Sequence, residues 1–403
     1  MPCVNHRQPL SATVHWPDRH ELVARSAPPM PSGAARNPLN AKPLNHQVPT
    51  AMNIPELIVT AAERGIHLCK AGLYPPGYNG PWEQMETPAR NTCHWAVTNA
   101  KAYALTGNGA YKDLVYRSIK AILEQRFCPF SASFMILNAN RSFPNGIVGQ
   151  AWVMEALVAA CRCLEDHHYL EVARRLALKH HFEPSVNLWA ILNIDGTTGP
   201  IHSSLNQQLW FGVMSLVVAK LSNDENLLST CDRFFANVHR HAWYAKDLIH
   251  MKINPRSFMA KRGRESRDLI RLLLTERKTQ SEATVGYLPY TLFPLAMAWK
   301  LGANTKKELL PEAERCAKNF IKIPLSDLAN NCYCFSYHPT GFEVAYILKA
   351  LDINTEALSD ADFWTSYQLE NYYNHFLHSP EASTRPCPTL IARFHEITYL
   401  CPG

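Results

Sequence analysis

The chain has 403 residues, 47% of them apolar and 18% charged, which is enough for one large or two ordinary globular domains and excludes wholesale disorder. Forty basic against 34 acidic residues leave a net charge of +6, which favours anionic ligands but falls short of a nucleic-acid binder. Seventeen glycines argue against a fibrous or low-complexity chain.

Residues 1–50, opening MPCVNHRQPL, hold nine of the 28 prolines and read as a disordered or draped arm. They contain neither an apolar signal core nor an amphipathic presequence. No run approaches the ~18 apolar residues of a membrane span, so the expected setting is cytoplasmic. Residues 51–403 read as one folded domain, whose most informative feature is a repeat. The turns TGNGAYKDLV, LEDHHYLEVA and SNDENLLSTC place Tyr111, Tyr169 and Leu227 at equivalent points, each 58 residues from the next.

A period of this length suits two helices of about 15 residues with one short and one long connection. The first helix of each unit is apolar nearly all round (AWVMEALVAACRC, FGVMSLVVAK). The second carries an apolar stripe among charges (YKDLVYRSIKAILEQ, LEVARRLALKHH). A helix apolar all round is buried and a striped one faces solvent, so inner and outer layers follow. Further pairs run from Tyr287 to Leu301 with Lys306 to Ile321, and from Phe342 to Ala350 with Asp360 to Phe376. A start near Ile54 and a last helix near Thr389 to Leu400 complete about a dozen helices. Alternating patterns are almost absent outside LWAILNIDG, which reads as a short hairpin or extended segment. The fold expected is all-α, an (α/α)6 toroid of six hairpins around a central cleft. A basic insertion at about 245–284 interrupts the period. Its core, 252–278, has nine basic and three acidic residues and reads as a solvated segment.

Twelve cysteines are scattered from Cys3 to Cys401, several inside helical patterns, and read as reduced core residues. The pairs Cys161/Cys163 and Cys332/Cys334 lack a second half at zinc-finger spacing. His167/His168 and His180/His181 fall on outer helices. No metal and no cofactor is expected.

Polar residues collect where inner helices begin. ETPARNTCHW supplies Glu86, Arg90, Asn91, His94 and Trp95. PNGIVGQAW supplies Asn145, Gln150 and Trp152, and HSSLNQQLWF supplies His202, Asn206, Gln208 and Trp210. GYLPY gives Tyr287 and Tyr290, and SYHPTGFE gives Tyr337, His338 and Glu343. Inner helices of a toroid run roughly parallel, so these five N-terminal ends should ring one mouth. Unpaired N–H groups and the helix dipole favour anions there, aromatic faces suit sugar rings, and Asn, Gln, His and Arg suit hydroxyls and carboxylate.

ETPARNTCHW with KAYALTG, NGIVGQAWVMEAL, LNQQLWF, YHPTGFEVAY and TLIARFHEITYL resemble a family of bacterial and archaeal (α/α)6 proteins. These are often encoded in capsule, lipopolysaccharide or protein-glycosylation clusters and are similar to unsaturated uronyl hydrolases. The resemblance spans about residues 53–401. It implies a pocket lined by Glu86, Arg90, Asn91, His94, Asn145, Gln150, Asn206, Gln208, Tyr337 and Glu343. Two departures stand out: Gln207 where the family usually has His, and Ser142-Phe143-Pro144 where it has a charged residue with Cys.

Hydrolysis of a glycoside, or hydration of an unsaturated uronyl end, needs an acid against the leaving oxygen or double bond. The function expected is a glycoside hydrolase on uronic-acid-containing oligo- or polysaccharide. Glu86 or Glu343 is the acid, His94 and Tyr337 are further catalytic candidates, and Asp195 on the LNIDGTTG turn is a third carboxylate. The remaining rim residues bind substrate. Three alternatives stay open. One is a uronate lyase, in which Tyr287, Tyr337, His94 or His202 removes a proton. Another is a non-catalytic glycan-binding scaffold, and the last is a zinc-dependent toroid.

Overall fold

A computed structural model describes residues 53–82, 84–137, 146–245, 248–254, 279–305, 309–354, 360–378 and 387–401. The 1–50 arm, Asn145, Ser142-Phe143-Pro144 and most of the basic insertion (255–278) lie outside the described residues. The helices that build the two layers, in chain order, are α1 Ile54–Ile66, α2 Pro88–Thr106, α3 Gly109–Ile122, α4 Val148–Leu164, α5 His167–Lys179, α6 Leu205–Ser222 and α7 Glu225–Asn237. They continue with α8 Leu288–Lys300, α9 Leu309–Phe320, α10 Thr340–Ala350, α11 Ala361–Gln368 and α12 Pro388–Ala392, which runs on as 3-10 turns through Arg393–Leu400.

Six segments form the inner ring: α2, α4, α6, α8, α10 and α12 with its extension. Each packs on the next, and the C-terminal segment returns to α2, so the ring closes. Outer helices α3, α5, α7, α9 and α11 each pack behind the inner helix that precedes them, while α1 sits against α2 and the closing segment. The expected (α/α)6 toroid is the fold observed. Inner α6 buries thirteen residues on all sides, whereas outer α7 buries only Leu227, Cys231, Phe234 and Phe235, one stripe facing the ring.

The 58-residue repeat has a physical basis in its turns. Gly107, Glu165 and Asn223 end three inner helices in the left-handed conformation, with φ of 68°, 57° and 52°. One residue on, Asn108, Asp166 and Asp224 cap the outer helix by accepting from the backbone N–H of Ala110, His168 and Leu227. The chain reverses in two residues, which fixes each hairpin. LWAILNIDG forms the expected hairpin: strand β1 Phe182–Glu183, β2 Leu188–Leu192 and β3 Thr198–Ile201 make an antiparallel sheet in the order β1-β2-β3. The described cysteines are all free. Among the described residues no helix is long and apolar enough to cross a membrane.

Candidate functional site

The site is built from the first turns of the inner helices and from the closing segment. Glu86 bridges Leu137 just ahead of α2, and Arg90, one turn later, donates Nη1–H to its Oε1 at 2.7 Å. Both side chains are about 1% exposed or less. Burial pushes the Glu86 carboxyl up against the opposing pull of Arg90. The Arg90 guanidinium lies 4.3 Å from the Trp152 ring centre and 5.8 Å from that of Tyr337, so one face of the cation rests on α4.

A second buried arginine holds the other half. Arg393, in the closing segment, donates Nη2–H to Glu343 Oε1 at 2.7 Å and to Glu396 Oε1 at 2.5 Å, with Nε–H reaching Glu396 at 2.9 Å. Its Nη1 contacts His338 Nδ1. Burial and then the Glu396 charge raise the Glu343 carboxyl well above the carboxylate range, outweighing Arg393. His338 lies among the rings of Tyr287, Tyr290 and Tyr337, with centres at 4.7, 4.8 and 4.6 Å, and burial with the two arginines holds it well below the histidine range. Tyr290 is pushed well above the tyrosine range by burial.

Beside this pair of cations, His94 stacks face to face on His395 at 4.1 Å. His395 Nε2 lies 3.5 Å from Glu155 Oε1, which also accepts a hydrogen bond from Tyr399 at 2.5 Å. His94, Glu155 and His395 bring one potential ligand atom each within 4.8 Å of one another. Stacked imidazoles aim their in-plane lone pairs side by side and not at a common point, and cationic arginines adjoin them, so the trio suits a divalent ion poorly. Burial, then His395, holds His94 well below the histidine range.

Many polar atoms here are buried without a hydrogen-bond partner among the described residues. They include Glu86 Oε2, Arg90 Nε, both ring nitrogens of His94, and Tyr290 Oη. His338 Nε2, Glu343 Oε2, His395 Nδ1 and Glu396 Oε2 complete the group. Each would cost about 1–3 kcal/mol if left dry, so their concentration marks a polar centre with unspent capacity to bond a ligand or water. The sequence suggests a rim around an open mouth, but the groups are enclosed. The described parts of the loop ahead of α2, 77–82 and 84–86, fold over them, Glu86 N–H donating to Gly77 O at 3.0 Å and Tyr337 donating to Asn79 Oδ1 at 2.8 Å. Gly80, at φ 49°, lies on the Tyr337 ring, where an added Cβ would sit 2.7 Å from its carbons.

The candidates thus divide. The structure brings together Glu86, Arg90, His94, Trp152, Tyr287, Tyr290, Tyr337, His338 and Glu343. Gln150 and Gln208 are engaged elsewhere, since Gln150 pairs both amide ends with the backbone of Phe134 and Gln208 does the same with Trp189, at 2.8 to 3.0 Å. Asn91 donates to Pro75 O, and the Trp210 indole donates to Tyr290 O while its ring stacks on Phe293. His202 accepts from Ser204 N–H and is lowered to about 4 by burial. Asn206 is buried with its Oδ1 unpartnered. Gln207 Oε1 accepts from Val148 N–H at 3.5 Å, so the amide that replaces the family's His supports the start of α4. Asp195 sits exposed at the β2–β3 tip, tied to Thr197 and lowered by those bonds, which makes it a turn residue and no acid.

Arg393, His395, Glu396, Glu155 and Tyr399 are missed by sequence reasoning. The available signal is RFHE inside the otherwise apolar last inner segment, and a lone Glu in AWVMEAL, where a buried charge demands a partner.

No family model matches the chain. The archaeal glycosylation protein Q of Haloferax volcanii is 26% identical over 371 residues, covering 86% of this chain and 97% of its own. Among solved structures, an unsaturated glucuronyl hydrolase specific for heparin superposes with a TM-score of 0.52 at 13% identity, over 86% of this chain and 95% of its own. A D-mannose isomerase gives 0.55 at 12%, over 87% and 100%. A glycosaminoglycan-degrading unsaturated glucuronyl hydrolase from Bacillus sp. GL1 gives 0.51 at 10%, over 85% and 93%. The toroid is therefore shared with these enzymes, and the expected likeness to uronyl hydrolases and to a glycosylation protein is found.

Proposed function

We propose that this chain is a carbohydrate-active enzyme that hydrolyses an oligosaccharide carrying an acidic sugar, with Glu343 as the proton donor. One observation carries the reading: Glu343 and Glu396 converge on one nitrogen of Arg393 in full burial, and burial with the Glu396 charge raises the Glu343 carboxyl well above the carboxylate range, which favours its acid form. A neutral carboxylic acid protonates a glycosidic oxygen or the double bond of an unsaturated uronyl end, and the ionised partner accepts a proton from the attacking water. Arg90 Nε, unpartnered and buried, is the donor available for a substrate carboxylate or hydroxyl. The toroid shared with the glucuronyl hydrolases and the glycosylation relative support a saccharide substrate.

The lyase alternative is less favoured because two of its candidate bases are already engaged: Tyr337 donates its hydroxyl to Asn79 Oδ1, and His202 Nδ1 accepts from Ser204 N–H. Aldose–ketose isomerisation is the second reading. Its support is His94, an imidazole that burial keeps neutral and whose two ring nitrogens are unpartnered, a group that can carry a proton between adjacent sugar carbons.

The test is product analysis with unsaturated glucuronyl disaccharides, intact uronate polymers and free aldoses. Hydrolysis consumes the unsaturated chromophore and Glu343→Gln abolishes it. Elimination would create that chromophore, isomerisation would yield ketose, and tight binding by calorimetry with no product would make the chain a glycan-binding module.

A further inference from the structure

Arg393 Nη1 and His338 Nδ1 face each other in the buried centre. A guanidinium carries only N–H donors and keeps its proton in proteins, so the nitrogen it meets has one role, that of acceptor. An imidazole that accepts at Nδ1 and is neutral carries its proton on Nε2. Glu343 Oε1 lies 3.4 Å from the same Nδ1 and would ask for a proton there if ionised, but Arg393 is the nearer partner. The titratable and charged groups facing the imidazole are Arg393 from the closing segment, Arg90 from α2, the neighbouring Tyr337, and the Glu343 carboxyl from the first turn of α10, the helix that begins two residues after His338. Tyr287 and Tyr290, at the start of α8, supply uncharged rings. Two cations oppose a third. His338 Nε2, meanwhile, is buried and unpartnered among the described residues.

We infer that Arg393 locks His338 as a neutral imidazole whose Nε2–H is a fixed donor for an oxygen of the sugar, and that His338 polarises substrate without transferring a proton. His338 contacts the substrate; Arg393 is a positioning residue, in addition to its hold on Glu343 and Glu396. The donor role rests on the proposed sugar site, whereas the lock can be read without any substrate.

Nitrogen NMR of the full chain tests the lock, with His338 assigned by the signals lost in His338→Gln. The expected result is one tautomer, Nε2–H, throughout about pH 6 to 8, where an ordinary histidine titrates. An imidazolium in that range, or a proton on Nδ1, overturns it. Arg393→Met should release the lock and restore titration. Should that variant not fold, Glu343→Gln keeps the Arg393 contact and must show the same tautomer; a switch to Nδ1–H would assign control to Glu343 and overturn the inference.

An unsaturated glucuronyl disaccharide added to the wild type should move the Nε2–H resonance, and His338→Ala should lower kcat roughly 100-fold, the scale of one lost preorganised donor. His338→Gln, which retains a donor, should recover part of that loss. Unchanged kcat in His338→Ala overturns the donor role while leaving the hydrolase reading intact. A correct tautomer in a protein that turns over none of these saccharides supports the lock and overturns the hydrolase reading.

Discussion

Glu343 and Glu396 bind the same atom, Arg393 Nη2, from different inner segments, at 2.7 and 2.5 Å. A single cation between two buried carboxyls compensates one negative charge, so the pair holds a proton where an isolated surface carboxyl would have lost it. The last inner segment therefore closes the ring mechanically and also supplies the charge that sets the chemistry of α10.

That arrangement gives a stability signature. The folded pKa of Glu343 is raised above its unfolded value of about 4.3, so its contribution is fully present below about pH 4 and is lost as pH rises through the folded value. Glu343→Gln should lose turnover while flattening the fall in stability between about pH 5 and 8. Urea midpoints at both pH values check this; parallel declines in wild type and variant would mean that the carboxyl is ionised in the fold.

Arg90 and Glu86 form a buried pair in which neither partner is cheap to remove alone. Arg90→Met leaves the buried Glu86 carboxyl without its cation, at a cost of about 3–5 kcal/mol. Adding Glu86→Gln to Arg90→Met should recover a large part of that loss. A double-mutant cycle by denaturant unfolding measures the coupling, and additive losses would contradict it.

Acid should act through a different residue. His180 ends α5 with Nδ1 on Leu176 O and its ring against Phe211, and burial lowers it to about 4. Its stabilisation is present above the unfolded value of about 6.5 and lost as pH falls towards 4, amounting to about 3 kcal/mol. The difference in unfolding free energy between pH 7 and 4.5 should shrink in His180→Gln by a comparable amount. An unchanged slope would place the acid sensitivity elsewhere.

The toroid was legible because period and polarity are local. Turn chemistry at Asn108, Asp166 and Asp224 recurs every 58 residues, and all-round apolar helices declare the inner layer. Where polar residues gather was legible too, since Glu86, Arg90, His94, Tyr290, Tyr337 and Glu343 do meet. Partnership was not. Whether a rim amide meets a backbone group or points at a ligand depends on the extended segment that passes it, as at Phe134 and Trp189, and sequence spacing carries no trace of that path. Ring closure hid the rest: Arg393, Glu396 and His395 stand some 300 residues from α2 and reach it only because the last segment returns to the first.

Gln150 and Gln208 turn that distinction into an experiment. Each holds a backbone N–H and a backbone C=O with one side-chain amide, Gln150 at Phe134 and Gln208 at Trp189. Replacing Gln150 with Leu fills similar space but strands both backbone groups in a buried place, at about 2–5 kcal/mol. The variant should melt earlier yet keep the KM of the folded fraction. A raised KM at unchanged stability would instead return Gln150 to the substrate, and with it the reading of that amide as a sugar ligand.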